Sequence, residues 1–210
     1  MSAYWFRRLR RGAPIIVVSG LPRSGTSMAM KMLGAGGVPT LTDGIREADD
    51  SNPLGYFELE RVKELDKTQD HGWLREARGK AVKIISFLLT YVPDTFDYQV
   101  IFMNRDIDEV LQSQNKMLTA RGEERGTAPD AQMRQAYEQH LEKVNRFLGG
   151  RRCFSTLQIQ YKAVLDDPAR EARRINEFLG GRLDVSRMAA VADRSLYRNR
   201  NEPHQTVPNP

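Results

Sequence analysis

The segment from Gly20 to Ser27 combines the residue types that bind phosphate. It follows the apolar run Ile15–Val18 and precedes a short helical pattern. The backbone N–H groups of such a turn attract anions, as does the partial positive charge at the start of the following helix. A glycine, three hydroxyl side chains and an arginine add close approach, hydrogen bonds and a fixed charge. The residues expected to contact phosphate are Arg23, Ser24, Gly25, Thr26 and Ser27.

The spacing of this loop is similar to that of a Walker A motif, but one residue differs. Four residues separate Gly20 from Gly25, and the next position holds Thr26 where a nucleoside triphosphatase needs lysine. The positive charge lies at Arg23, inside the turn. We therefore predict a loop that binds phosphate but lacks the lysine that a nucleoside triphosphatase needs. A glycine-rich turn that binds no ligand is the alternative.

The segment Pro22–Ser27 resembles the 5′-phosphosulfate loop of the sulfotransferase superfamily. The arginine after the proline is most similar to the tyrosylprotein and bacterial branches. The resemblance extends over about residues 14–181. It implies a three-layer α/β fold of the P-loop kinase type, with a parallel sheet covered by helices on both faces. It also implies the donor 3′-phosphoadenosine 5′-phosphosulfate (PAPS) and no metal.

Two further segments carry the same resemblance. In the family, an arginine at a strand end and a serine eight residues later bind the 3′-phosphate of the nucleotide, and Arg105 and Ser113 have this spacing. An arginine can fork onto a phosphate while a helix hydroxyl donates to it. Tyr161 opens a segment whose tyrosine lies near the adenine in relatives. Packing at a strand end is the alternative for Tyr161.

Transfer of a sulfuryl group needs a base for the acceptor proton and positive charge near the leaving phosphate. Arg23 and Lys83 are the expected cationic groups, since Lys83 stands in an otherwise apolar strand. One branch of the family has a histidine base after this lysine, and isoleucines follow it here. Glu58 is the expected base because its segment resembles bacterial relatives; a helix-start glutamate is the alternative. The runner-up candidates are Glu47, Asp49 and Asp50, and the three histidines are expected to be surface or packing residues.

The elements that must position these residues alternate along the chain. Apolar, β-branched runs at 15–18, 81–85, 100–103 and around 157–159 predict strands, and amphipathic patterns after them predict helices. Asp106 with Glu109, and Asp167 before Pro168, are typical helix starts. This alternation predicts a parallel α/β sheet with helices on both faces.

The bulk properties favour one domain over residues 1–210, with a basic arm over 1–13 and a loose tail over 199–210. No apolar run approaches the ~20 residues that span a membrane, and no nucleic-acid-binding signature is present. A single cysteine, Cys153, suggests a reducing, cytoplasmic setting. The partners we expect are a small-molecule, carbohydrate or peptide acceptor and, as an open alternative, a second copy of the chain in a homodimer.

Three functions follow from these residues. The first is a PAPS-dependent sulfotransferase acting by in-line transfer on a hydroxyl or amine. The second is a P-loop nucleotide kinase or nucleoside triphosphatase, which Thr26 in place of lysine disfavours. The third is a non-catalytic nucleotide-binding protein of the sulfotransferase fold. The acceptor itself is not encoded in a motif that we can decode.

Overall fold

The computed structural model describes residues 11–44, 55, 57–120, 122–123 and 129–192. Four strands form one parallel sheet in the order β2–β1–β3–β4. The strands are β1 (Ile15–Gly20), β2 (Ala81–Lys83), β3 (Tyr98–Asn104) and β4 (Phe154–Gln160).

Six helices of the described residues pack around this sheet. They are α1 (Thr26–Ala35), α2 (Ile107–Ala120), α3 (Asp130–Gly149), α4 (Tyr161–Asp166), α5 (Pro168–Phe178) and α6 (Val185–Ala190). Short 3-10 turns lie at Glu60–Glu64, Gly72–Arg75 and Leu89–Tyr91. The sequence predicted helices at α1, α2, α3 and α5, and the structure confirms them.

Alternate residues of the central strands lie on opposite faces of the sheet and pack into two separate hydrophobic cores. Ile16 and Val18 pack on one face with residues of α1, α4, α5 and α6. Ile15 and Val17 pack on the other face, where Val144 of α3 closes the core. Period-two burial on two faces is what a covered parallel strand requires. The predicted three-layer α/β architecture is confirmed.

The strand order creates the edge where a ligand is expected. The chain runs from β1 outward to β2, then returns to the opposite side of β1 for β3 and β4. In open parallel sheets, ligands bind at the carboxyl ends of strands where the order reverses. The last residues of neighbouring strands are in register here, with Gly20 beside Met103 and Asn104 beside Gln160. The residues that follow them therefore meet at one edge.

Several local predictions are refined by the structure. The Asp106 carboxylate accepts a hydrogen bond from the Glu109 N–H at 3.1 Å, so the predicted helix start is confirmed. Asp167 caps α5 in the same way through the Arg170 N–H. Strand β2 ends at Lys83 and is therefore shorter than the apolar run 81–85. The short helices α4 and α6 were not predicted.

The predicted terminal segments lie largely outside the described residues. Residues 1–10 of the arm and the whole of 199–210 are not described. Arg11 contacts the body of the protein, since its guanidinium donates to the Asp94 carbonyl at 2.7 Å and pairs with Asp97 at 3.3 Å. Within the described part of the chain, no helix is long and apolar enough to cross a membrane.

Candidate functional site

The phosphate loop leaves β1 at Gly20 and ends at the first turn of α1. Gly25 precedes this helix in a left-handed conformation, with φ of 99°, and makes no side-chain cap. The Ser24 side chain is 1% exposed, and its hydroxyl has no hydrogen-bond partner. A buried, unsatisfied hydroxyl is costly, so it marks a place where a ligand oxygen would be stabilising. Thr26 is also buried, at the N-terminus of α1. The loop therefore fits a phosphate group.

Arg23 connects the loop to helix α2. It has a positive φ of 70°, which is uncommon for a residue with a side chain. Its Nε donates to the Ser113 hydroxyl at 3.0 Å. The sequence predicted these two residues for different phosphates of one nucleotide, and the structure brings them into direct contact. A cation from the loop and a hydroxyl from the helix thus share one location.

Arg105 follows β3 and is held between the loop and its own helix. Its Nε donates to the Glu109 carboxylate at 2.9 Å, and both side chains are 8% exposed. Its Nη1 donates to the carbonyl of Arg23 at 3.2 Å. A nearly buried guanidinium keeps its charge and geometry when such groups orient it. The Arg105 side chain is therefore positioned beside the Arg23–Ser113 pair.

Tyr161 follows β4 and packs against both groups. Its ring is under Arg105, whose guanidinium carbon lies 4.5 Å from the ring centroid. The same ring covers Gly25, where a Cβ would come within 2.5 Å of the tyrosine Cδ2. Burial raises the pKa of the Tyr161 phenol, while Arg105 and Arg23 oppose that rise. The predicted contact of this residue with adenine remains a prediction.

Replacing Gly25 with alanine is expected to destabilise the protein by about 2–3 kcal/mol, because the left-handed backbone and the contact with Tyr161 both penalise a Cβ. Gly37 is a matched control, with φ of 96° and nothing within 4 Å of an added Cβ. Gly37→Ala should cost only about 1 kcal/mol from backbone strain. Urea unfolding of both variants measures the difference. Equal losses would contradict the tight contact between the loop and Tyr161.

Lys83 and Glu58 meet at the carboxyl end of β2. The Lys83 Nζ lies 3.9 Å from Glu58 Oε1, and the lysine side chain is only 10% exposed. Lys63 lies 3.7 Å from the other carboxylate oxygen of Glu58 and is half exposed. The Glu58 carbonyl accepts a hydrogen bond from the Thr42 hydroxyl at 2.9 Å, which fixes this segment. Two residues that the sequence singled out separately are therefore neighbours.

The runner-up candidates for the base lie outside the described residues, as does Tyr56. These candidates are Glu47, Asp49 and Asp50. Among the described residues, no group of three or more His, Cys, Asp and Glu side chains is placed to hold a metal ion.

One polar pair next to the loop was missed by sequence reasoning. The His140 Nε2 of α3 lies 2.9 Å from the Ser86 hydroxyl, and the imidazole stacks on Phe87. Burial lowers the pKa of His140 and favours its neutral form, and Lys143 acts in the same direction. The Ser86 N–H donates to the Gly20 carbonyl at 2.9 Å, so this pair ties α3 to the base of the loop. No spacing rule connects residues 86 and 140, which only the fold brings together.

Together these groups define a class of protein: a parallel α/β protein with a glycine-bearing loop that fits phosphate at the switch point of its sheet and a second cationic group beside it. No protein-family model and no curated protein matches the sequence. Solved structures do match. The chain is similar to the sulfotransferase domain from the curacin biosynthetic pathway (17% identity, 80% of this chain and 74% of that one, TM-score 0.48).

Two other structural neighbours have related descriptions. One is retinol dehydratase in complex with androsterone and the inactive cofactor PAP (17% identity, 84% of this chain, 62% of that one, TM-score 0.46). The other is a sulfotransferase from Alicyclobacillus acidocaldarius (16% identity, 83% of this chain, 85% of that one, TM-score 0.44).

Proposed function

We propose that the protein is a sulfotransferase that moves a sulfuryl group from PAPS to a hydroxyl or amine acceptor. The observation that carries the proposal is the presence of two adjoining anion-binding groups at one sheet edge. The first is the loop with its buried, unpartnered Ser24 hydroxyl. The second is Arg105, beside the Arg23–Ser113 pair. A nucleotide phosphorylated at both its 5′ and 3′ positions would use both groups.

The residues of the loop would bind the 5′ end of PAPS. The bound donor supplies the sulfuryl group. The N–H groups at the start of α1 and the Arg23 guanidinium stabilise negative charge on the leaving phosphate. Ser113 holds Arg23 at the loop through the 3.0 Å hydrogen bond, so the guanidinium would be oriented before the nucleotide binds. Arg105 and Ser113 would then hold the 3′-phosphate.

Glu58 would accept the proton of the acceptor. The acceptor oxygen or nitrogen forms a bond to sulfur while the bond between sulfur and the bridging oxygen breaks. The electron pair of that bond passes to the phosphate of adenosine 3′,5′-bisphosphate. Lys83, 3.9 Å from Glu58, adds a positive charge where the sulfuryl oxygens gain negative charge.

The cellular setting, the acceptor and the oligomeric state are part of the same proposal. The single cysteine, Cys153, is buried, and the proposed setting of the protein is cytoplasmic. The acceptor is a small molecule, a carbohydrate or a peptide, and a homodimer stays a prediction. No transfer to any acceptor, together with tight bisphosphate binding, would favour a non-catalytic nucleotide-binding protein of this fold.

A binding and transfer experiment tests the proposal. The protein is titrated with adenosine 3′,5′-bisphosphate and, separately, with ATP and Mg²⁺. It is then incubated with sulfur-labelled PAPS and a panel of phenols, alcohols, amines, sugars and tyrosine peptides. We expect the bisphosphate to bind at least about tenfold more tightly than ATP, because Arg105 and Ser113 contact only the 3′-phosphate. Tight ATP binding without bisphosphate binding would instead indicate a kinase or triphosphatase.

A further inference from the structure

Tyr161 occupies a position between the two anion-binding groups. It is the first residue of α4, and it is 6% exposed. Its ring lies against Gly25 so closely that only a glycine fits there. Movement of Gly25 toward Tyr161 is therefore blocked by the tyrosine ring.

The second contact is with Arg105. The guanidinium carbon is 4.5 Å from the ring centroid, a distance at which a cation is attracted to an aromatic face. Arg105 is also bound to the Arg23 carbonyl in the loop at 3.2 Å and to Glu109 on α2 at 2.9 Å. Of these three contacts, the one with the Arg23 carbonyl is made with the loop itself, and the Tyr161 ring also touches the loop at Gly25. The position of Arg105 therefore depends on the conformation of the loop.

These contacts imply that ordering the phosphate loop also orders Arg105, and that ordering Arg105 also orders the loop. A phosphate that fixes the loop also fixes the Arg23 carbonyl and, through Gly25, the Tyr161 ring, and both of these contact Arg105. A phosphate that binds alone meets the whole ordering cost of the shared contacts, whereas a second phosphate binds to contacts that are already ordered. Binding at the two groups is then cooperative, with a coupling that is reciprocal.

We propose that Tyr161 is a positioning residue that couples the 5′-phosphate loop to the 3′-phosphate group. It thereby makes the site selective for a nucleotide phosphorylated at both positions over one phosphorylated at a single position. This inference rests on the proposed function, because it concerns the same nucleotide. It differs from a contact with adenine, which would affect adenine nucleotides equally, whatever phosphates they carry.

The coupling can be measured with four ligands. They are adenosine, adenosine 5′-phosphate, adenosine 3′-phosphate and adenosine 3′,5′-bisphosphate. The gain in affinity from adding a 3′-phosphate is measured once on adenosine and once on adenosine 5′-phosphate, by calorimetry or ligand-observed NMR. The ratio of the two gains is the coupling. In the native protein we expect a ratio of about ten or more, within the usual range for coupled sites.

The variants Tyr161→Leu and Tyr161→Phe distinguish a role of the aromatic face from a role in packing alone. Leucine is apolar and bulky, but it lacks the aromatic face, so the ratio should fall to about one or two. Phenylalanine keeps the face and should retain most of the native ratio. Thermal unfolding and binding of adenosine 5′-phosphate show that the variants are folded. A purely structural role would lower stability and leave the ratio unchanged.

The outcomes distinguish this inference from the proposed function. Tight bisphosphate binding with a native ratio near one, or with a ratio that Tyr161→Leu leaves unchanged, overturns the coupling and leaves the sulfotransferase proposal intact. An equal loss for all four ligands in Tyr161→Leu indicates an adenine contact and also overturns it. Failure of the native protein to bind the bisphosphate overturns both.

Discussion

Replacing Glu58 with glutamine is expected to lower kcat by about 10³-fold while changing bisphosphate affinity by less than about twofold. General-base catalysis contributes roughly 10²- to 10⁴-fold, and an amide of the same shape cannot accept the proton. The Glu58 side chain is 22% exposed and lies between Lys83 and Lys63, so the substitution alters charge rather than packing. Single-turnover transfer from labelled PAPS gives the rate of the chemical step directly.

Glu60→Gln is the matched control for this experiment. It makes the same chemical change two residues away, on a side chain that is 55% exposed and paired with Lys63 at 2.6 Å. Exposed ion pairs contribute little, so kcat should change by less than about twofold. A fully active Glu58→Gln variant would remove Glu58 from the role of base. A loss of bisphosphate affinity equal to the loss of rate would instead place Glu58 in nucleotide binding.

The parts of the site that depend on neighbouring residues were predictable from the sequence. The β-branched run before Gly20, the left-handed glycine at 25 and the helix after it form one continuous segment. Each of these residues has a local conformational reason to adopt its structure. The same holds for Arg105, because the end of a buried strand and a capped helix start fix its place between them.

Contacts between distant segments could not be predicted in this way. Arg23 is 90 residues from Ser113, and the sequence gives no indication that the side chains meet. The pair of His140 and Ser86 depends on the packing of α3 against the end of β2, which is set by the core below it. Tyr161 directly follows β4, and its contact with Gly25 follows from the register of β1, β3 and β4.

The length of β2 shows why local patterns also fail at element boundaries. Residues 81–85 are apolar apart from Lys83, which predicts a longer strand. The Ile84 and Ser86 N–H groups still donate to the Val18 and Gly20 carbonyls, but the regular ladder has ended. Lys83 is thus the last residue of the strand and reaches the carboxyl edge of the sheet, where it meets Glu58. A charged residue is compatible with this otherwise apolar strand because Lys83 lies at the end of the strand, at the edge of the sheet.

Replacing Arg105 with methionine is expected to weaken binding of adenosine 3′,5′-bisphosphate by about 100-fold. Two effects add. The variant lacks the charge-assisted hydrogen bonds to the 3′-phosphate, each worth roughly 1.5–3 kcal/mol. It also leaves the Glu109 carboxylate, 8% exposed, without the guanidinium that lies 2.9 Å away, next to the incoming phosphate. A nearby negative charge opposes an anionic ligand.

The double variant Arg105→Met, Glu109→Gln separates these effects. Removing the carboxylate charge should recover only a small part of the lost affinity, since the repulsion is gone but the 3′-phosphate still has no guanidinium. Adenosine 5′-phosphate, which has no 3′-phosphate, should lose less than about tenfold in Arg105→Met through the contact of Arg105 with the loop. Calorimetry with both nucleotides measures the difference. Equal losses for the two ligands would show that Arg105 supports the loop alone, and the 3′-phosphate would then have to bind elsewhere.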